Sequence, residues 1–463
     1  KEEAEEEAEE EAVTEEEEEA EEVVSSLLLE WRKVLHLGAC SLSLELSGAG
    51  VQSKLPVGCL EIQLSLLAPH PLPAPLAPPA PPLHEAGAVE AQLKAERAAE
   101  LDAERRFFSY AKAWWSDYVS SSASLGRRPV KLFALSELGV QRPVTCFVRP
   151  LDSGRLLESA AQAAHFVSLL RWERAMPVGG TDVWQSMGAT LARRAGEAEE
   201  LAVLLCSLLL GFGLEAYVAV GKDEAGSRVW VMSAAEQGSF TFWDPASGAR
   251  YHHAPCSPAA SPYLSIGCAF NHESFYANLQ EDDALSSSSL ALGEPLLWRA
   301  IDPALLRRLT PLPAPRLTAP ASQDGRVGRE VALEAQLRRR LEAHRASLDL
   351  ATSWDTALES TLGPALHSYE LEAQCGATLG APEFKLAVKR CTPTGHTFRG
   401  YPAHFTHARP AAMARHLATA AGAAGVLQCK APRARLALRL RTFAYPDGVT
   451  SAWLLLACSA ALE

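Results

Sequence analysis

The chain has 463 residues, 48% hydrophobic and 21% charged, a composition that suits two or three ordinary buried cores and excludes a wholly disordered or fibrous protein. Its net charge of −13 is concentrated in residues 1–22, where fifteen glutamates and one lysine give −14 and leave about +1 for the rest. That near-neutral body excludes the basic footprint of a nucleic-acid binder, and ten cysteines without a C-x-x-C pair argue against a zinc site or a disulfide framework.

The Glu-rich tail, 1–22, cannot bury apolar surface and is expected to be solvated. Residues 23–68 hold three strand-like pieces, "VVSSLLLEW", "CSLSLELSG" and "CLEIQLSLL", the second with Leu42, Leu44 and Leu46 alternating against serines and Glu45. Three strands are few for an independent β domain, so this reads as the end of a sandwich. The Pro-rich stretch 69–86 is a polyproline-like spacer. Over 87–125 the spacing predicts one long helix, with Val89, Leu93, Leu101, Phe108 and Trp115 at near-heptad steps, flanked by Phe107, Ala111, Trp114 and Tyr118. Its aromatic end is expected to dock on the next domain.

Residues 126–300 mix strands ("PVKLFAL", "RPVTCFVRP", "RVWVMSA", "SFTFWD") with helices, an α/β pattern. Within them, Leu201 to Leu214 form an apolar run of fourteen residues, too short for the ~20 a bilayer needs, so a buried helix is expected and no transmembrane segment. Gly211-Phe212-Gly213 should stop that helix, and "LEAYVAV" should follow as a strand. With no secretory or transit segment recognisable, cytoplasm is the expected compartment. A second Pro-rich linker, 301–327, leads to a C-terminal α+β unit, 328–463. It opens with a charged helix near Glu330 and closes on a hairpin whose Tyr-Pro-Asp-Gly is a turn signal.

A thiolate at a helix start, with His and Asp from adjoining strands, is one way to build a cysteine-protease or transglutaminase site. Here the helix opens Gly196-Glu197-Ala198-Glu199-Glu200, with no thiol. Cys206 lies two turns in among leucines and reads as core. His252, His253 and Cys256 could suggest a metal, but adjacent strand histidines point to opposite faces, so neither a metal nor another cofactor is expected.

The segments "LLCSLLLGFGLEAYVAVG", "VWVMS", "FTFWDPASGARYHH", "IGCAFNHESFYANLQ" and "GHTFRGYPAHF" together closely resemble the centrosomal protein of 76 kDa family. "LLLEWRKVL" with "SLSLELSGAGVQSKLPVG" looks like the end of that family's C2 domain, and "FFSYAKAWWSDY" like the helix after it, so the resemblance runs from about Leu27 to Ala457. It implies a multidomain α/β and α+β protein: a partial C2-like β-sandwich, a long helix, a degenerate transglutaminase-like (papain-like) domain and a C-terminal α+β region. It also implies a centriolar or basal-body scaffold of the cytoskeleton, linked to cilia, that restrains centriole reduplication, with other centriolar proteins as partners, among them the centriolar coiled-coil protein of 110 kDa. Carried over by motif, the nucleophile position is Ala198, the histidine position Arg228 and the acid Asp244. Only the acid survives: a methyl group cannot attack, and an arginine stays protonated. A surface Asp-Pro turn explains Asp244-Pro245 equally well.

Rival readings are a cysteine peptidase or acyltransferase using a repositioned thiol, and a C2-type membrane adaptor. Against the adaptor, Val23 to Leu67 contain no Asp, whereas calcium needs converging carboxylates, so calcium-dependent membrane binding is not expected. In "RARLALRLR", Leu436, Leu438 and Leu440 should face the core, while Arg435, Arg439 and Arg441 form a cationic stripe that is either solvated surface or a partner site for acidic segments.

Overall fold

The computed structural model describes residues 25, 27, 29–48, 55–66, 85–173, 183–235, 238–254, 257–258, 261–320, 326–376, 382–431 and 434–461. The acidic run 1–22, residues 69–84 of the first Pro-rich stretch, and Cys256 lie outside the described residues.

Strands β1 (Ala39–Ser47) and β2 (Pro56–Ser65) form an antiparallel hairpin in which Leu42 opposes Ile62 and Leu44 opposes Leu60. The expected strand before it is absent from the described residues: Trp31–Lys33 form a 3-10 turn, capped by the Glu30 carboxylate on Arg32 N–H, that runs into the helix Val34–Leu37. Of the expected strand, residues 23, 24, 26 and 28 lie outside the described residues, and only Trp31 joins these turns.

Helix α1 (Ala86–Ser121) spans 36 residues, and it buries Val89, Leu93, Phe107, Ala111, Trp114 and Tyr118. Leu101 and Phe108, expected on the docking stripe, are more than half exposed, because each stands in a series one residue, about 100° of rotation, past the seven-residue steps of Leu93, Phe107 and Trp114. Trp114 Nε1 donates to Ala300 O at 3.0 Å and Tyr118 Oη to Asn278 O at 2.9 Å, so the aromatic end docks with its polar atoms satisfied.

Helix α3 (Ala198–Gly211) packs on an eight-stranded antiparallel sheet, and helix α2 (Ala160–Ser168) packs on α3. Its strands are β3 (Ala216–Asp223), β4 (Gly226–Ala234), β5 (Phe240–Trp243), β6 (Arg250–Ala254), β7 (Ser257–Pro258), β8 (Ser265–Phe270), β9 (Phe275–Asn278) and β10 (Trp298–Ala300), in the order β7-β6-β5-β4-β3-β8-β9-β10. Gly213, at φ +78°, lets the chain leave α3 and enter β3. "RPVTCFVRP", expected as a strand, gives the end of a three-residue strand (Gln141–Pro143) and then a 3-10 turn over Val144–Cys146, after which Arg149 N–H donates to Ser207 Oγ of α3 at 3.2 Å.

Alternation splits the sheet residues between two cores. Val218, Val220, Val229 and Val231 join Leu201, Leu204, Leu205 and Leu208 of α3, whereas Tyr217, Ala219, Trp230, Met232 and Phe242 pack on the opposite face with Tyr263 and Trp298. Burying one such side chain contributes about 1.5–3 kcal/mol.

The C-terminal unit sets α4 (Arg326–Ala346) and α5 (Thr356–Cys375) on opposite faces of a three-stranded antiparallel sheet. Its strands are β11 (His396–Phe405), β12 (Arg435–Ala444) and β13 (Thr450–Ala461), in the order β11-β13-β12. The turn Tyr445-Pro446-Asp447-Gly448 joins β12 to β13, with Asp447 at φ 56°. The second Pro-rich stretch is more than a spacer: Ile301, Leu306, Leu309 and Leu312 are buried in the α3-side core, which also takes in Tyr445 and Val449.

Candidate functional site

Glu197 caps α3, and Glu200 completes a reciprocal capping box. Glu200 Oε2 accepts from Glu197 N–H and Oε1 from Gln185 N–H, both at 2.9 Å. Burial pushes the Glu200 carboxyl up to about 7, while those backbone donors and Arg193 oppose the rise. Ala198 stands at the first turn between these glutamates, where a nucleophile would meet the positive end of the helix dipole. Cys206 is fully buried at the centre of α3, and burial pushes its thiol far up, away from thiolate chemistry.

Arg228 and Asp244 are brought together: Arg228 Nη2 lies 3.2 Å from Asp244 Oδ2, and its Nε lies 3.8 Å from Asp223. The other Asp244 oxygen accepts from Ala246 N–H at 2.9 Å, so the carboxylate also ties its own turn. Arg228 shares its strand face with Trp230, which stacks on Tyr263 at 4.2 Å. That is the face opposite α3, so the pair is separated by the sheet from the helix that carries Ala198. His252 is exposed and His253 is buried against Phe242, 5.0 Å between ring centroids, with burial lowering its pKa. Among the described residues no group of three or more His, Cys, Asp or Glu could hold a metal ion, and no helix is long and apolar enough to cross a membrane.

A cavity of about 640 Å³ opens on the same face as the Arg228–Asp244 pair, lined by Tyr217, Phe240, His253, Tyr276 and the Ser286–Ser289 loop. The loop is held at its last residue, since Ser289 O accepts from Trp298 Nε1 at 2.9 Å and Ser289 N–H donates to Gln280 Oε1 at 2.7 Å.

Sequence reasoning missed the most heavily bonded side chain among the described residues. Glu370, buried on α5, accepts from His165 Nε2 (3.0 Å) and Tyr445 Oη on one oxygen, and from Ser451 Oγ (2.6 Å) and Trp453 Nε1 (2.6 Å) on the other. The signal was available: Glu370 continues the step of four set by Leu358, Leu362 and Leu366, and a carboxylate on an apolar stripe requires buried donors.

Arg435, Arg439 and Arg441 meet carboxylates of their own chain. Arg439 Nη1 lies 3.0 Å from Glu334, Arg441 Nη1 2.8 Å from Glu330, and the mostly exposed Arg435 3.8 Å from Asp355.

The chain matches the family models for the CEP76 C2 domain over residues 7–71, the CEP76 peptidase-like domain over 182–301 and the centrosomal protein of 76 kDa C-terminal domain over 326–461. It is 37% identical to the human centrosomal protein of 76 kDa, an alignment covering 94% of this chain and 68% of that protein. It is 39% identical to the Danio rerio protein of the same name, covering 94% and 67%. Among solved structures, calcium-bound Legionella pneumophila LapG aligns at 15% identity over 34% of this chain and 83% of that one, with a TM-score of 0.23. The chain, with its C2-like, peptidase-like and C-terminal domains, belongs to the centrosomal protein of 76 kDa family.

Proposed function

We propose that the chain is a non-enzymatic scaffold of the centrosome, at centrioles or basal bodies, in which a peptidase-like domain serves as a binding platform and helps to limit centriole reduplication. The relatives' name supports the centrosomal part of this reading. The observation that carries the non-enzymatic part is Ala198 at the first turn of α3, with Arg228 and Asp244 paired to each other on the far face of the sheet. An arginine–carboxylate pair has no proton to exchange near neutral pH and no thiol to activate. The domain divisions read from the sequence and the partnership with other centriolar proteins belong to the same proposal.

The test is a thiol-directed activity probe applied to the native chain. No stoichiometric labelling of any one cysteine is expected. Labelling of a single site, lost on Cys206→Ser, would overturn the reading. Localising the tagged chain relative to centrioles tests the cellular half, and a diffuse distribution would count against it.

A further inference from the structure

The C-terminal domain contains a second cavity, about 580 Å³, between α4, α5 and the edge of β12. Its walls carry Arg326, Arg439, Arg441, His367, Ser360 and Thr442. Three guanidinium groups face two carboxylates, Glu330 and Glu334, which leaves an excess of positive charge before His367 is counted.

Those carboxylates are shared between the backbone and the arginines. Glu330 Oε1 accepts from Thr442 N–H (2.8 Å) and Thr442 Oγ1 (3.0 Å), and Glu334 Oε1 from Leu440 N–H (2.8 Å), so each meets its arginine through the remaining oxygen. Arg439 and Arg441 each bond a glutamate through Nη1, one edge of a five-donor fork. Opposite the fork stands Gly363: a Cβ there would lie 3.8 Å from Arg439 Nε and 4.0 Å from Arg441 Nη2, with no nearer atom. The glycine lets α5 pack closely against two guanidinium groups that buried glutamates hold in place at the wall of the cavity.

We propose that this cavity binds a phosphomonoester carried on a side chain of a partner peptide. A phosphorylated serine or threonine brings about −1.5 to −2 charge and three acceptor oxygens, which suits two neighbouring forks with Arg326 and His367 beside them. The volume exceeds that of one phosphate and leaves room for the residue that bears it. The proposal concerns the C-terminal domain and stands whether or not the peptidase-like domain is catalytic.

The test titrates the full chain with a fluorescent Gly/Ala peptide carrying one central phosphoserine. The same peptide with serine, the same peptide with glutamate, and inorganic phosphate are the comparators. The phosphopeptide is expected to bind about tenfold or more tightly than each. Gly363→Ala, which adds only a methyl at ordinary contact distance, should retain binding. Gly363→Asp sets a carboxylate against both forks without removing either, and should lose binding about tenfold while its thermal midpoint stays at or above that of the parent. Unchanged binding by a folded Gly363→Asp chain would overturn the site. Equal binding of the glutamate peptide or of inorganic phosphate would overturn its assignment to a phosphorylated side chain.

Discussion

Glu370 shows how one buried charge organises its neighbours. Burial alone would raise its pKa, but the hydrogen bond and charge of His165, with the Ser451 and Tyr445 hydroxyls, outweigh that and hold it at about 2. Because Ser451 spends its only proton on Glu370, the 2.9 Å contact between Ser451 Oγ and His404 Nε2 must be donated by the imidazole. His404 lies tilted against Trp453 with ring centroids 4.5 Å apart, and desolvation brings its pKa down to about 4, against the pull of Glu370. Both shifts act in one direction. The unfolded chain takes up the His404 proton near pH 6.5 and the Glu370 proton near pH 4.5, whereas the folded chain resists each until lower pH, so stability falls as pH falls. His404→Gln should flatten the decline between about pH 6.5 and 4, and Glu370→Gln the decline below about 4.5, in thermal midpoints measured across that range. At pH 7, Glu370→Gln should cost about 2–4 kcal/mol, since an amide offers hydrogens where donors already point. Parallel pH profiles for the parent and both variants would refute the assignment.

Elements were legible where the determinants are local. The alternation of Leu436, Leu438 and Leu440 with arginines predicts both the strand and its buried face, and the Tyr-Pro-Asp-Gly turn predicts the hairpin that the structure contains. What covers the edge of β12 was not legible, because the partner lies more than a hundred residues earlier. Glu330 and Glu334 are one helical turn apart, about 6 Å of rise, and Leu440 and Thr442 are two strand residues apart, about 6.6 Å. The match lets two carboxylates take two successive edge amides that would otherwise invite another strand. Motif order named Arg228 and Asp244 as separate positions, but neither their ion pair nor the side of the sheet they occupy was legible, because both depend on register, and one residue moves a side chain to the other face. Glu334→Ala, which strips Leu440 N–H and Arg439 of an acceptor together, should lower stability by about 1–3 kcal/mol. It should also raise self-association by size-exclusion chromatography, and a monomeric variant of unchanged stability would show the helix to be incidental to the edge.

At the scale of the molecule, the peptidase-like and C-terminal domains share one interior. The β12–β13 turn places Tyr445 and Val449 in the α3-side core, Leu312 N–H donates to Cys146 O at 2.8 Å, and Thr318 Oγ1 donates to Asp447 at 2.8 Å. His165 on α2 reaches Glu370 on α5, so a buried polar bond crosses the same boundary as the apolar contacts. The hairpin β1–β2 differs: among its described residues most of β2 is exposed, and its neighbours meet α1 through contacts such as the 2.7 Å Arg32–Glu96 pair near the surface. Exposed pairs of that kind contribute about 0–1 kcal/mol, far less than a shared core. Hydrogen exchange should therefore find the hairpin amides opening at low free energy, while amides of β4 and β13 exchange together at the global limit. Val449→Asp, which sets a charge in the shared core, should lower the protection of β4 and β13 alike and leave the hairpin unchanged. If β13 alone responded, the two domains would be independent folding units joined by a linker, and the buried crossing of Leu312 and Tyr445 would have no part in holding them together.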